Sequence, residues 1–301
     1  MPSIKDWISA ARLRTLPLAL AGMIIGNVLA YDDAHFSWPV ALLSLLTAVL
    51  LQVLSNYAND LGDTENGADN ELRVGPQRAV QSGKISIQQM KVAVILFAAT
   101  SFLSGCLLLW VAREAISIEV VLSILVAGLL SILAAYTYTA SKNPYGYRAL
   151  GDLAVFLFFG LLAVLGSYVL QTGTLKMDVW AFGAGMGCLS TAVLNLNNMR
   201  DLKSDAAANK MTVALLLGLS KAKVYHYSLC LMGVLFFGIF SSFRFETLSQ
   251  YVFLTPLVLV LGHCIKVNRR STFEEFNPLL KELSLSSALI ALSLGIGFLL
   301  K

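Results

Sequence analysis

The stretch that decides the fold runs from Ser55 to Gly83 and reads SNYANDLGDTENGADNELRVGPQRAVQSG. It lies between two long apolar runs and contains three aspartates. A second polar stretch, NLNNMRDLKSDAAANKMT from Asn195 to Thr212, also lies between apolar runs and contains two further aspartates. We call these the first and second acidic stretches. Five of the ten aspartates of the chain lie in them, so these are the places where chemistry is expected.

The composition around these stretches is that of a membrane protein. The chain has 301 residues, of which 57% are hydrophobic and only 13% are charged, against about 25% charged residues in a soluble domain. The mean hydropathy is +0.72. The net charge of +4 lies mostly in loops and does not indicate a nucleic-acid partner. Met1–Thr15 is polar and leads into further apolar runs, so we expect no cleavable signal peptide.

The apolar runs predict an all-α, polytopic bundle of about nine transmembrane helices forming one domain, 1–301. Most runs are close to the roughly 20 residues that a helix needs to cross a bilayer. They are continuously apolar, without the alternation of a membrane β-barrel. The nine runs are Leu16–Ala30, Pro39–Tyr57, Met90–Ala112, Glu119–Thr139, Leu150–Leu170, Val179–Leu196, Ala222–Ser241, Tyr251–Val267 and Leu283–Leu300.

The motif spacing indicates an internal repeat. Asn59-x-x-x-Asp63 closes the second run, and Asn197-x-x-x-Asp201 closes the sixth, four runs later. This predicts two four-helix pseudo-repeats followed by one extra helix.

The placement of Lys and Arg predicts the orientation. If the N-terminus is cytoplasmic, most basic residues fall on the cytoplasmic side, as the positive-inside rule requires. The other side then holds only Arg113, Lys176, Arg244 and Lys301. We therefore expect a cytoplasmic N-terminus, an external C-terminus and both acidic stretches in loops on the cytoplasmic face.

The two acidic stretches have the residue types of a Mg²⁺ site. Residues four apart share a helix face, so Asn59 and Asp63 project together, as do Asn197, Asp201 and Asp205. Mg²⁺ takes oxygen ligands and is commonly shared with substrate phosphates. One such stretch could equally be a solvated polar loop. Two acidic stretches on the same membrane face are better explained as opposite walls of one pocket. Acidic residues near a membrane usually have a function or a partner.

Basic residues interleaved with the acids suit a diphosphate. Arg binds phosphate oxygens in a bidentate manner, whereas Lys acts as a point charge. The alternative explanation for these cations is the positive-inside rule, which needs no ligand. The residues in question are Arg73, Arg78, Arg200, Lys203 and Lys210.

A third loop, Tyr136–Asp152, combines tyrosines with Lys142 and Arg148 and suits a flat anionic ring. Its tyrosines also fit an ordinary interfacial aromatic belt, and Asp152 also fits a helix cap. Further along, Phe156, Phe158 and Phe159 either line a lipid tunnel or pack between helices.

The cysteines and histidines show no metal-type spacing. We interpret the four cysteines as buried small residues and expect no ligand cluster from the three histidines. These residues are Cys106, Cys188, Cys230, Cys264, His35, His226 and His263.

Taken together, the two acidic motifs resemble those of the UbiA superfamily of intramembrane aromatic prenyltransferases. The first motif of that family reads Asn-Asp-x-x-Asp with a further Asp, here Asn59, Asp60, Asp63 and Asp69. The resemblance implies Mg²⁺ ligands at Asp60, Asp63, Asp69, Asp201 and Asp205. It also implies catalytic roles for Asp63, Asp201, Lys142 and Arg148. The implied substrate-binding residues are Arg14, Asn59, Arg73, Arg78, Tyr138, Asp152, Asn197, Arg200 and Lys210.

Within the superfamily the chain resembles the branch that acts on 1,4-dihydroxy-2-naphthoate. The likeness lies in RLRTLP from Arg12, PYGYRALGD from Pro144, and the two acidic stretches. Asp69 follows Asp63 by six residues, which favours this branch over the 4-hydroxybenzoate enzymes. One departure is Asn209, where a Gly is expected.

The resemblance implies an enzyme of a bacterial inner membrane that uses Mg²⁺, a polyprenyl diphosphate, 1,4-dihydroxy-2-naphthoate and surrounding membrane lipid. Its product would be demethylmenaquinone, formed with loss of CO₂. Other acceptors remain open, namely 4-hydroxybenzoate, homogentisate and haem. A cation-coupled transporter and a non-catalytic lipid-binding protein are alternatives of a different class.

Overall fold

The computed structural model describes residues 2–270 and 272–300, and their regular structure is helical. Among these residues, nine helical segments are long and apolar enough to cross a membrane, so the predicted all-α, nine-span architecture is confirmed. The α-helices are α1 Ile4–Ala11, α2 Leu16–Asp32, α3 Trp38–Glu65, α4 Ile87–Ala112, α5 Ile118–Thr137, α6 Gly151–Val155, α7 Ala163–Thr172, α8 Met177–Arg200, α9 Leu202–Ala207, α10 Val213–Arg244, α11 Leu257–Arg269 and α12 Asn277–Leu299. Terminal Met1 and Lys301, which the predictions included, lie outside the described residues.

Helix boundaries differ from prediction mainly where polar residues continue a helix. The second span continues past the expected end at Tyr57 to Glu65, and the sixth continues past Leu196 to Arg200. The motif residues Asn59, Asp63 and Asn197 therefore lie on the same helices as the second and sixth spans, which extend further than the apolar runs predicted. Hydrophobicity locates the membrane-embedded part of a helix, whereas backbone hydrogen bonding continues beyond it.

The fifth span is irregular in its middle. Between α6 and α7 the chain forms a π-helical segment, Phe156–Leu162. There Gly160 packs directly on the backbone of Gly187 in α8, and a Cβ on Gly160 would overlap that backbone. This close approach allows the wider π turn to press against α8.

Helix α8 lies at the centre of the bundle. It packs most extensively on α10 and also contacts the π-helical segment, while α2 packs between α7 and α12 and α3 packs along α4. Helix α5 has no buried residue and exposes Leu122, Val126 and Leu133. A surface of this kind suits lipid, where helices satisfy their own backbone hydrogen bonds. The four-helix repeat stays a prediction.

Ion pairs tie the spans together at the end of α8 that is far from the acidic stretches. Arg244 contacts Asp32 at 3.0 Å, Asp33 at 3.1 Å and Asp178 at 3.0 Å. The hydroxyl of Tyr168 donates to Asp33 at 2.6 Å. These contacts join α2, α7, α8 and α10, and so fix the positions of the helices whose opposite ends lie near the acidic stretches.

The expectation that the histidines form no cluster is wrong. His226 of α10 and His263 of α11 face each other with their Nε2 atoms 3.2 Å apart, next to Cys230 and Cys264. Sequence spacing does not reveal the cluster because its members come from two helices. The cysteines are also not uniformly buried, since Cys106 and Cys264 are half-buried.

Candidate active site between the two acidic stretches

The last turns of α3 hold the first motif. Asn59 and Asp63 lie on the same helix face, as their spacing predicts, with Asn59 half-buried and Asp63 buried. Gly62 packs against the backbone of Thr139, and a Cβ on Gly62 would overlap it. The hydroxyl of Thr139 donates to Asn59 Oδ1 at 3.1 Å. The third loop is therefore held directly against the motif.

Asp63 is the most connected carboxylate of the site. One oxygen accepts from Tyr147 at 2.9 Å and from Lys210 at 3.1 Å, and the other lies 2.9 Å from Arg78. Its partners come from the first stretch, the third loop and the second stretch. Burial raises the pKa of Tyr147, and the Asp63 carboxylate raises it further, so this hydroxyl is a stable hydrogen-bond donor.

The two acidic stretches meet at one ammonium group. Lys210 Nζ lies 3.1 Å from Asp63 and 4.0 Å from Asp205, so carboxylates of both stretches flank the same positive charge. A second link is the Asn70 side chain, which donates to the carbonyl of Ser204 at 3.2 Å. The structure thus brings together residues about 140 positions apart in the sequence, with Asn59 and Asp63 on one side and Asp205 on the other.

Asp69 is held by the two arginines that follow it. Arg73 donates to it at 2.5 Å, and Arg78 Nε lies 3.0 Å away. Burial raises the pKa of Asp69. The pKa of Arg78 is also raised, because Asp63 and Asp69 outweigh its burial. Arg78 therefore stays charged between two carboxylates.

Asp201 lies at the junction where α8 ends and α9 begins, so the predicted continuous stripe of Asn197, Asp201 and Asp205 is bent there. Its two oxygens accept from Arg200 at 2.8 and 2.5 Å. Although burial acts in the opposite direction, Arg200 lowers the pKa of Asp201. Arg200 also donates to Asn197 at 2.7 Å. Burial raises the pKa of Asp205 to about 7.

Asp60 has a different set of contacts from the other acids. Its oxygens accept from the backbone N–H groups of Ala79 and Val80 at 3.2 and 3.3 Å. They thereby fix the segment that presents Arg78. This carboxylate therefore organises the backbone next to the site, and a metal-ligand role for Asp60 stays a prediction.

Asn209 explains the one departure from the expected motif. It adopts a φ of 53°, in the left-handed region that Gly enters most readily and Asn tolerates better than most other residues. The backbone turns here between α9 and α10, which brings the next residue, Lys210, to Asp63. The motif geometry is therefore kept without the Gly.

A polar cavity of about 850 Å³ opens beside the acidic stretches. Two of its guanidinium atoms, Arg12 Nη2 and Arg73 Nε, are buried without a hydrogen-bond partner among the described residues. Unpaired buried donors of this kind fit an anion. The charged and amide residues that line it are Arg12, Arg14, Gln52, Asp60, Arg73, Gln77, Arg78, Asn197, Arg200, Asn277 and Lys281.

An apolar cavity of about 240 Å³ adjoins the polar one. The two share Gln52, Val155, Phe159 and Leu194, so they meet at a common wall. Phe158 and Phe159 line the apolar cavity, as the tunnel hypothesis requires. Phe156 instead packs against Gly187, where an added Cβ would lie 2.7 Å from its ring.

The third loop contributes to the site differently from expectation. Tyr138 lines the apolar cavity and contacts Tyr145 edge-on. Lys142 and Arg148 are exposed and line neither cavity, because the loop turns them outward while Ala149 pairs with Met211. Asp152 is buried beside Tyr225 and lines neither cavity. The role of these three charges toward substrate stays a prediction.

Sequence reasoning missed several residues of the site. Tyr147 was visible in the tyrosine-rich loop, but nothing in its spacing separated it from Tyr145. Gln52 lies inside an apolar run and carried a usable signal, because a polar side chain in a span usually has a function. Asn277 and Lys281 lie near the start of α12, far from both motifs, and only the fold shows that they line the polar cavity.

The residues present fit a Mg²⁺–diphosphate group. Asp63, Asp69, Asp201 and Asp205 are buried, provide only oxygen donors and each lie beside at least one cationic side chain. Hard oxygen donors of this kind suit Mg²⁺. The unpaired arginine atoms on the cavity wall suit phosphate oxygens.

Comparison with known proteins agrees with the fold. The model of the UbiA prenyltransferase family matches residues 16–295. A protein of Haemophilus influenzae named 1,4-dihydroxy-2-naphthoate octaprenyltransferase is 42% identical, over 99% of this chain and 96% of that one. An Escherichia coli protein of the same name is 40% identical, over 98% and 95%.

Solved structures show the same fold at lower identity. A UbiA homolog from Aeropyrum pernix K1 superposes with a TM-score of 0.68 at 17% identity, covering 100% of this chain and 99% of the other. A UbiA homolog from Archaeoglobus fulgidus, bound to GPP and Mg²⁺, gives a TM-score of 0.65 at 18% identity, covering 97% and 100%.

Proposed function

The chain belongs to the UbiA prenyltransferase family, and from this membership we propose that it transfers a polyprenyl group from a polyprenyl diphosphate to 1,4-dihydroxy-2-naphthoate, with loss of CO₂. The names of the relatives at 40–42% identity support this reaction and an octaprenyl donor. The observation that carries the proposal is the position of Lys210 between Asp63 and Asp205. Arg78, which pairs with Asp63, lines the neighbouring cavity together with other cations.

We assign the Mg²⁺ ligands to Asp63, Asp69, Asp201 and Asp205, all of which are buried oxygen donors. Bound there, Mg²⁺ supplies positive charge that stabilises a departing diphosphate. Lys210 and Arg78 compensate the charge of Asp63.

The cations of the polar cavity bind the diphosphate. Arg12 and Arg73 each offer a buried, unpaired N–H, and Arg78 is fixed by Asp63 and Asp69. Donors held in advance where negative charge develops stabilise that charge at little reorganisation cost. When the allylic C–O bond breaks, the electron pair stays on the diphosphate, and these groups hold it.

The apolar cavity accommodates the first part of the prenyl tail. It opens from the wall shared with the polar cavity, and Phe158, Phe159 and Leu162 line it. The allylic carbon would then lie near the shared wall. This arrangement separates the two ends of the donor by polarity.

The aromatic acid enters from the aqueous side. Arg14 and Lys281 line the polar cavity and are exposed, and neither has an acidic partner among the described residues. They suit the carboxylate of the acid at the mouth of the cavity. A ring carbon attacks the allylic carbon, and if that carbon bears the carboxylate, CO₂ leaves in place of a proton and no base is required.

The enzyme resides in a bacterial inner membrane, with a cytoplasmic N-terminus and the site on the cytoplasmic face. The support is the bias of Lys and Arg toward that face together with the bacterial source of the relatives. Both substrates can then reach the site, the tail from lipid and the acid from the cytoplasm.

Parallel assays of purified protein with different acceptors test the proposed reaction. Octaprenyl diphosphate and Mg²⁺ are supplied with either carboxyl-labelled 1,4-dihydroxy-2-naphthoate or 4-hydroxybenzoate. We expect prenylated product and labelled CO₂ with the naphthoate alone. Product from 4-hydroxybenzoate without CO₂ would contradict the acceptor assignment while leaving prenyl transfer in place.

A further inference from the structure

A group of metal-ligating side chains lies outside the site described above, between α10 and α11. The ligand atoms of His226, Cys230 and Cys264 all lie within 4.8 Å of one another. Within this group, His226 Nε2 lies 3.7 Å from Cys230 Sγ. His263 adds another nitrogen, since its Nε2 lies 3.2 Å from that of His226.

This group is buried and separate from the prenyl-transfer site. His226 and His263 are 0% exposed and Cys230 is 1% exposed, while Cys264 is half-buried. None of the four lines the polar or the apolar cavity. The reaction proposed above therefore gives these residues no role.

The spacing of these atoms is close to that of a tetrahedral zinc site. Zinc binds imidazole nitrogen at roughly 2.0–2.1 Å and thiolate sulfur at about 2.3 Å, so its ligand atoms lie about 3.3–3.8 Å apart. The observed separations are 3.2 Å between the two nitrogens and 3.7 Å between nitrogen and sulfur. The other pairs among His226, Cys230 and Cys264 lie within 4.8 Å, so their ligand atoms must move closer together to enclose an ion.

The surroundings also suit ligation by imidazole. Glu282 Oε1 of α12 lies 3.6 Å from His263 Nδ1, on the side of the ring away from the cluster. Metal-binding histidines commonly direct their second nitrogen to a carboxylate, which fixes the ring. Two thiolates would neutralise the charge of a divalent ion, which reduces the cost of burying it.

We propose that His226, Cys230 and Cys264 form a structural site for one Zn²⁺ ion, with His263 Nε2 as the nearest further donor. Thiolate is a soft ligand and imidazole a borderline one, and together they suit zinc and disfavour Mg²⁺, which prefers oxygen donors. The ion links α10 to α11. Prenyl transfer does not require it directly.

Cobalt substitution tests the site. Full-length protein is purified in detergent with a thiol-free reductant, treated with chelator and titrated with Co²⁺. With excess Mg²⁺ present to occupy the aspartate site, we expect one thiolate-bound Co²⁺ per chain, with a thiolate-to-metal charge-transfer band and intense visible absorption, both lost on addition of Zn²⁺. Cys230→Ser and Cys264→Ser should each lose the charge-transfer band. Cys106→Ser, at a half-buried cysteine in α4, should keep it.

Thermal melting provides a second readout. In the same excess of Mg²⁺, Zn²⁺ should raise the melting temperature of the wild type and of Cys106→Ser but not that of Cys230→Ser, because an ion that binds only the folded state stabilises it. The proposal is overturned if reduced wild-type protein that still transfers prenyl groups shows no cobalt band. It is equally overturned if the band survives in both cluster variants, or if Cys230 and Cys264 form a disulfide in the active protein.

Discussion

At the scale of single residues, the site depends on buried charges that are paired across elements. Asp63 contacts Arg78, Tyr147 and Lys210 from three separate parts of the chain. Removing one member of a buried pair leaves the other uncompensated, which is costly. Each charge therefore stabilises the position of the others. Substitutions can distinguish the residues that bind ligands from those that only stabilise the structure.

Replacing Arg12 by Gln should weaken binding of the polyprenyl diphosphate. Its buried Nη2 has no partner among the described residues, and a hydrogen bond to a charged group contributes about 1.5–3 kcal/mol. We expect KM for the diphosphate to rise roughly 10- to 100-fold. Lys142→Gln is the matched control, because Lys142 is exposed and lines neither cavity. An equal rise in KM in both variants would contradict the assignment.

Replacing Asp60 by Asn should act on the backbone and not on the metal. Each carboxylate oxygen accepts one backbone N–H group, so the amide of Asn keeps one of these two acceptors and places an NH₂ donor against the other N–H. We expect a lower melting temperature and a lower kcat, with the Mg²⁺ concentration for half-maximal activity unchanged. A Mg²⁺ titration of the transfer rate measures this. A shift of that midpoint by 10-fold or more would show that Asp60 is a ligand, since ligand losses have effects of about that size or larger.

At the scale of elements, the sequence predicted the spans well and the contacts between them poorly. Nine apolar runs predicted nine spans, because burial in lipid demands continuous apolar residues. The i, i+4 spacing correctly placed Asn59 and Asp63 on one face. The outward turn of Lys142 and Arg148 and the pairing of His226 with His263 were not predictable. They depend on how loops and helices distant in sequence pack together.

The π-helical segment of the fifth span gives a prediction about the donor tail. Leu162 lines the apolar cavity, so Leu162→Trp fills space that the tail would occupy. We expect kcat/KM for octaprenyl diphosphate to fall about 10-fold or more relative to that for a short prenyl diphosphate. Leu157→Trp on the same segment, at an exposed leucine that lines neither cavity, should leave the ratio unchanged. The same fall in both variants would argue against a tail in this cavity.

At the scale of the whole molecule, the orientation in the membrane decides which compartment supplies the acid. An odd number of spans puts the termini on opposite sides, and the positive-inside rule places the N-terminus in the cytoplasm. With the C-terminus outside the cytoplasm, alkaline phosphatase fused after α12 should be active, and a fluorescent protein fused there should not fluoresce. Fusions made one span earlier, after Arg269, should give the reverse. Fluorescence from the full-length fusion would contradict the orientation and place the site on the outer face.

The fold as a whole brings two stretches that are far apart in sequence to one position, and the central claim is that they form a single metal–diphosphate site. The most direct measurement is a Mg²⁺ titration of prenyl transfer by purified wild-type protein, Asp63→Asn, Asp205→Asn and Asp178→Asn. Asp178 is a buried, ion-paired aspartate at the other end of α8, so its variant controls for lost stability. We predict that the variants at Asp63 and Asp205 each lose at least about 100-fold in rate, while Asp178→Asn keeps its rate below its melting temperature. Full activity in either Asp63→Asn or Asp205→Asn would contradict a site shared between the two stretches.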